Sequence, residues 1–103
     1  MKIIQKLSEK IEEEINDADS YIKLAMHYKD DYPELAKTFY TLSTQELEHM
    51  QMLHDQVTDL IRAYRAEKGE PPESMMAVYN YLHEKQIKHT NKVKARQDAY
   101  KNL

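Results

Sequence analysis

The sequence predicts an all-α fold of three long helices in a single domain spanning residues 1–103. Two observations carry this. Helix breakers are scarce, with one Gly and three Pro in the whole chain, and they cluster in two short stretches. Between those stretches apolar residues recur at steps of three and four, the spacing that lines one face of a helix. The composition, 41 % hydrophobic and 32 % charged, is ordinary for a soluble helical protein.

The first helix is expected over about residues 2–29, where Ile4, Leu7, Ile11, Ala18, Tyr21, Ala25 and Tyr28 form one stripe. It ends at Lys29-Asp30-Asp31-Tyr32-Pro33, where the aspartates can cap and Pro33 suits the first turn of a new helix. The second helix is expected over about 33–67, with Leu35, Phe39, Leu42, Leu53, Leu60 and Tyr64 in line. Gly69 suits the position after its end, and Pro71 and Pro72 stop any continuation. The third, over about 72–100, has a weaker stripe of Met76, Tyr79, His83, Ile87, Thr90, Val93 and Tyr100. Such rods are roughly 40–50 Å long at 1.5 Å per residue. Three of them, with so few core residues each, bury their stripes better when two chains pair.

Composition excludes several function classes. The chain has no Cys, hence no disulfide framework, thiolate zinc site, iron–sulfur cluster or rubredoxin-type centre of its own. A net charge of −3 argues against nucleic acid as a partner. No apolar run reaches the length of a membrane span, and the opening MKIIQKLSEK lacks the apolar core of a signal peptide. The expected location is therefore cytoplasmic. His27, His54 and His89 are expected at the solvent or the bundle edge, and Met50, Met52, Met75 and Met76 as core filler. The basic segment Lys85 to Lys101 is expected to be a solvated face or a weak anionic contact, and not a nucleic-acid module.

Two of the stripes have gaps, and the gaps hold polar groups. Between Ile11 and Ala18 the stripe position is Glu14; between Leu42 and Leu53 the positions are Glu46 and His49. A carboxylate on an inward face needs a compensating positive group, because desolvating a charge is costly. Glu46-Leu47-Glu48-His49 is a Glu-x-x-His element, whose ends share a helix face and can converge on one ion. With eleven Glu and five His in the chain, that pair alone is weak evidence; its place on the stripe opposite another inward Glu gives it weight. A blander reading makes Glu14 part of the solvated run Glu12-Glu13-Glu14, and Glu46 with His49 a polar pair that fixes helix register.

The segment from Glu14 to Tyr21, followed 32 residues after Glu14 by Glu46-x-x-His49, resembles the first half of the ferritin-like superfamily. The likeness covers roughly residues 4–60. It implies an antiparallel helical hairpin whose Glu14, Glu46 and His49 are ligands of a di-iron, or possibly dimanganese, centre. It further implies ferroxidase-type oxidation of Fe²⁺ by dioxygen or peroxide, with Glu46 bridging, Glu14 and His49 terminal, and Tyr21 orienting a carboxylate. A full-length member repeats the motif, whereas this chain has one copy. It is thus similar to the short, single-motif class of encapsulated ferritins and rubrerythrin-like proteins, in which two chains complete one four-helix bundle and share the site as a homodimer or a multiple of dimers. The ending Ala-Tyr-Lys-Asn-Leu shows no encapsulin-targeting tail, which leaves an encapsulin shell in doubt as a partner. On the third helix, Asn80-Tyr81-Leu82-His83 could be a degenerate Glu-x-x-His, with His83 either a further metal ligand or a core histidine. The rival function is a non-catalytic helical oligomerisation module that keeps the fold without the metal.

Overall fold

The computed structural model describes residues 1–103 and contains three helices and no strand. Helix α1 runs from Lys2 to Tyr28, α2 from Pro33 to Lys68 and α3 from Glu73 to Asn102, all within two residues of the expected bounds. Pro33 opens α2, its missing N–H falling among donors that have no helical partner anyway. Asp30 and Asp31 do not cap it: the N-cap is Tyr32, with no side-chain bond. Instead the Tyr32 N–H still donates to the Tyr28 carbonyl at 2.8 Å, so the chain turns directly from one helix into the next. At the far end Gly69 adopts φ 80° and ψ −161°, a conformation open essentially to glycine alone, and its N–H donates to the Arg65 carbonyl.

The molecule is a slender rod of 56 × 19 × 18 Å. Only 16 of its 103 residues are buried, so the core is a single seam. On α1 that seam is Ile4, Ser8, Ile11, Ile15, Ala18, Ile22 and Ala25, a strict alternation of four and three that keeps one side of the helix against its neighbours. On α2 it is Ala36, Ser43, Leu47, Val57 and Ile61, and on α3 Thr90, Val93 and Gln97.

This seam corrects the expected stripes. Positions 4, 11, 18 and 25 are common to both, but Leu7, Tyr21 and Tyr28 lie on the flank, half-buried. Ile15 and Ile22, absent from the expected stripe, are at 1 % and 0 % exposure. On α2 the whole expected row from Leu35 to Tyr64 is half-buried or exposed, and the buried row lies beside it. Among the methionines, Met52 is well exposed and fills no core.

Polar groups tie α3 to the hairpin. The buried Ser43 hydroxyl donates to the Ala18 carbonyl at 2.7 Å and accepts from Gln97 Nε2 at 2.9 Å, joining all three helices at one atom. Gln86 Nε2 donates to the Ser8 carbonyl, and Lys29 Nζ to the Tyr100 carbonyl. Asp19 on α1 meets Arg96 and His89 of α3 and Lys23 of its own helix. Burial pushes the Asp19 carboxyl up, yet hydrogen bonds from His89 and Lys23 and the Arg96 charge outweigh it and hold the group below its ordinary value. His89, half-buried at the edge between α1 and α3, is thus an inter-helix partner.

Two predictions follow from this packing. Ile15→Ala should lower the unfolding free energy by about 2–5 kcal/mol in urea titration, because the thin seam has no second layer to collapse into the cavity. Asp19→Asn should cost about 1–3 kcal/mol at neutral pH. Because the folded Asp19 has a depressed pKa, its contribution is present above the unfolded value and disappears as pH falls through the folded one. The wild type and Asp19→Asn should therefore converge in stability in strong acid.

Candidate metal centre

A helical hairpin has two flanks. Successive α1 residues are rotated by about 100°, so Ser8, Ile15 and Asp19 face one flank, and Leu7, Glu14, Tyr21 and Tyr28 the other. Helix α3 occupies the first flank through Ser8, Asp19 and Ser43. On the second flank α2 presents Leu35, Phe39, Leu42, Glu46, His49, Leu53 and Leu60, which repeat at four and three like the buried seam. No helix of this chain covers that row.

Glu14, Glu46 and His49 come together in the middle of the uncovered flank. Each offers a ligand atom, and these atoms lie within 4.8 Å of one another. His49 Nδ1 is 3.6 Å from Glu14 Oε2 and 3.9 Å from Glu46 Oε1. The carboxylates are mostly buried, at 24 % and 18 % side-chain exposure, while the imidazole is 54 % exposed at the mouth. Leu7 and Leu53, half-buried, pack against the core beyond one end of the cluster, and Tyr21 stacks on Phe39 beyond the other.

The electrostatics of this cluster are unfavourable as it stands. Glu14 Oε2 is the one buried side-chain oxygen or nitrogen with no hydrogen-bond partner. Two ionised carboxylates cannot hydrogen-bond each other, since neither carries a donor. Glu46 is accordingly pushed up to about 7, first by a proton shared with Glu14, then by burial and by the Glu14 charge, with His49 opposing. A buried orphan oxygen beside a second carboxylate and an imidazole is the donor set that a divalent cation satisfies. Two oxygen ligands with one nitrogen suit iron or manganese rather than a thiophilic ion.

The other residues singled out in the sequence are placed differently. Tyr21 stacks on Phe39, ring centroids 6.2 Å apart, and its hydroxyl bonds neither carboxylate within the chain. His83 does not join the cluster: it lies on α3 and stacks against His54, with centroids 4.7 Å apart and planes within 1°. His54 and His89, expected at the solvent or the bundle edge, are half-buried, and each meets a residue of another helix.

The raised Glu46 value gives a signed prediction for the metal-free protein. A carboxyl whose folded pKa exceeds its unfolded one binds its proton more tightly when folded, so stability falls as pH rises from about 4.5 to about 7. Glu46→Gln, which carries no such charge, should remove this slope and be the more stable protein above pH 7, by about 3 kcal/mol. Urea midpoints measured across that range in chelator provide the check. Saturation with Fe²⁺ under argon should reverse the order, because the ion favours the ionised Glu46.

The sequence profile of the rubrerythrin family matches residues 6–102. No curated protein and no solved structure matches the chain. The matched span takes in Glu14, Glu46 and His49 and nearly the full length of all three helices. With an all-helical architecture and a carboxylate–histidine cluster on one hairpin, this chain belongs to the rubrerythrin family of ferritin-like proteins.

Proposed function

We propose that the protein is a ferroxidase-type, cytoplasmic oxidoreductase, working as a homodimer that shares one di-iron, or dimanganese, centre across the uncovered hairpin flank. Domains of this family generally bind iron, which supports iron as the metal. The observation that carries the reading is the partnerless, buried Glu14 Oε2 facing Glu46 and His49 on an unoccupied apolar row. One chain offers three ligands, too few for two metal ions. A second copy laid on the same flank about a two-fold axis doubles the set to four carboxylates and two imidazoles and buries both rows of leucines. No helix is long and apolar enough to cross a membrane.

Two Fe²⁺ held there would supply the two electrons that dioxygen or peroxide takes up. The chain's own part is electrostatic and steric. Glu46, which holds its proton beside Glu14, would give it up to a bound cation, and both carboxylates would then serve as ligands. His49, the most exposed of the three, stands at the mouth where an incoming ion arrives first. The leucines flanking the cluster exclude water once a partner covers them, and this strengthens every charge interaction inside. Tyr21, one heptad beyond Glu14 on the same row, is assigned to hydrogen-bond a carboxylate within the assembled dimer.

The test is anaerobic Fe²⁺ titration of the metal-free protein followed by admission of air. Saturation is expected near two irons per dimer, with fast oxidation. Glu46→Ala and His49→Ala should each lose at least ten-fold in oxidation rate. A chelator should lower the thermal midpoint of the loaded wild type, since metal at a hundred times its Kd adds about 2.7 kcal/mol to the folded state. Binding no tighter in the wild type than in the variants would leave the row as a purely structural, non-catalytic helix interface.

A further inference from the structure

The stacked His54–His83 pair is on a different face of α2 from the carboxylate cluster, where α3 meets the hairpin. Neither ring makes a hydrogen bond to the rest of the chain, although both side chains are half-buried. Burial, with the neighbouring His54, depresses the His83 pKa, so the ring is held in the neutral form that a metal requires. Tyr79 also stacks on His83, with ring centroids 5.6 Å apart.

The spacing of the pair is informative. Two imidazoles on one four-coordinate ion, with bonds of about 2.0–2.1 Å, have ring centroids about 5 Å apart. The observed separation is 4.7 Å. Only ring orientation differs: the planes are parallel, and the nitrogen lone pairs lie in those planes without converging. A turn of His54 about its second side-chain torsion directs a nitrogen at its partner, and there is space for it. The pair stands between two clefts of about 260 and 390 Å³, each lined by both histidines. Met50 adds a thioether to the first cleft and Met76 to the second. Of the cations bordering the clefts, Arg62 is paired with Asp59 and Arg65 with Glu70, Lys94 lines the first cleft without an ion pair, and Glu84 adds negative charge beside His83.

We propose that His54 and His83 form a second metal-binding site, for a borderline or soft transition ion such as Cu²⁺ or Zn²⁺, that clamps α3 to α2. Imidazole donors with thioethers at hand select these ions, whereas the carboxylate cluster selects harder ones. The site draws on one chain alone and does not depend on the dimer or on iron.

The test uses the full-length protein with Glu46→Ala and His49→Ala, which disables the carboxylate cluster, and Cu²⁺ as the probe. One Cu²⁺ per chain is expected by calorimetry, with pulsed electron paramagnetic resonance showing two coordinated imidazoles. Adding His54→Gln or His83→Gln should weaken binding at least ten-fold, and His27→Gln, at an exposed histidine, should not. Should either Gln variant fail to fold, the imidazole count in the parent decides by itself. Binding through a single imidazole, or binding indifferent to His83→Gln, overturns the site. Loss of iron chemistry in the parent leaves this result untouched, so the two readings fail separately.

Discussion

Two antiparallel helices leave a groove on each side, and a single third helix can fill only one of them. The rest of this molecule depends on that constraint. Helix α3 takes one groove and is received by small and polar side chains, with Ser8 and Ser43 allowing close approach and supplying hydrogen bonds. The other groove keeps its leucines, its aromatic residues and its carboxylates half-exposed. Stability and chemistry are thereby assigned to opposite sides of the same two helices.

The division also explains the unusual charge arrangement. A carboxylate pair in the central seam would be sealed from water on every side and would cost several kcal/mol per ion. On the open flank, Glu14 and Glu46 are desolvated enough to repel and to share a proton, yet remain accessible to an ion from solvent. The contrast with Asp19 is instructive. That carboxyl is even less exposed, but Arg96, Lys23 and His89 surround it, and its charge is stabilised. One hairpin thus holds a satisfied carboxylate facing α3 and an unsatisfied pair facing away.

Helix boundaries were legible in the sequence because they rest on local chemistry: Pro33, Gly69 and the paired prolines act where they stand. Register was less so. Residues 4, 11, 18 and 25 belong equally to two rows, and apolar size pointed to Leu7, Tyr21 and Leu42 where burial selects Ser8, Ile22 and Ser43. A small buried residue leaves no hydrophobic signal. The same misplacement brought Glu14, Glu46 and His49 into view, since they interrupt the more visibly apolar row. Interactions between distant helices left no trace of any kind. Asp19 and Arg96 are 77 residues apart, and nothing near either announces the other. The stacking of His54 on His83 was hidden for the same reason.

The attachment of α3 is lopsided. All of its buried residues, and its bonds to Asp19, Ser43 and Lys29, lie between His89 and Tyr100. From Glu73 to Gln86 no residue is fully buried, and the helix is held by the Gln86 amide on Ser8, the Met1 amine on Met75, the Tyr79 ring against the core and the stacked histidines. Local opening follows such contact density. Amide exchange along this helix should therefore run against the usual order, in which a chain terminus frays first. The segment nearest the Pro71–Pro72 connection is the one that breathes, while the turns approaching the C-terminus stay latched until the whole molecule unfolds.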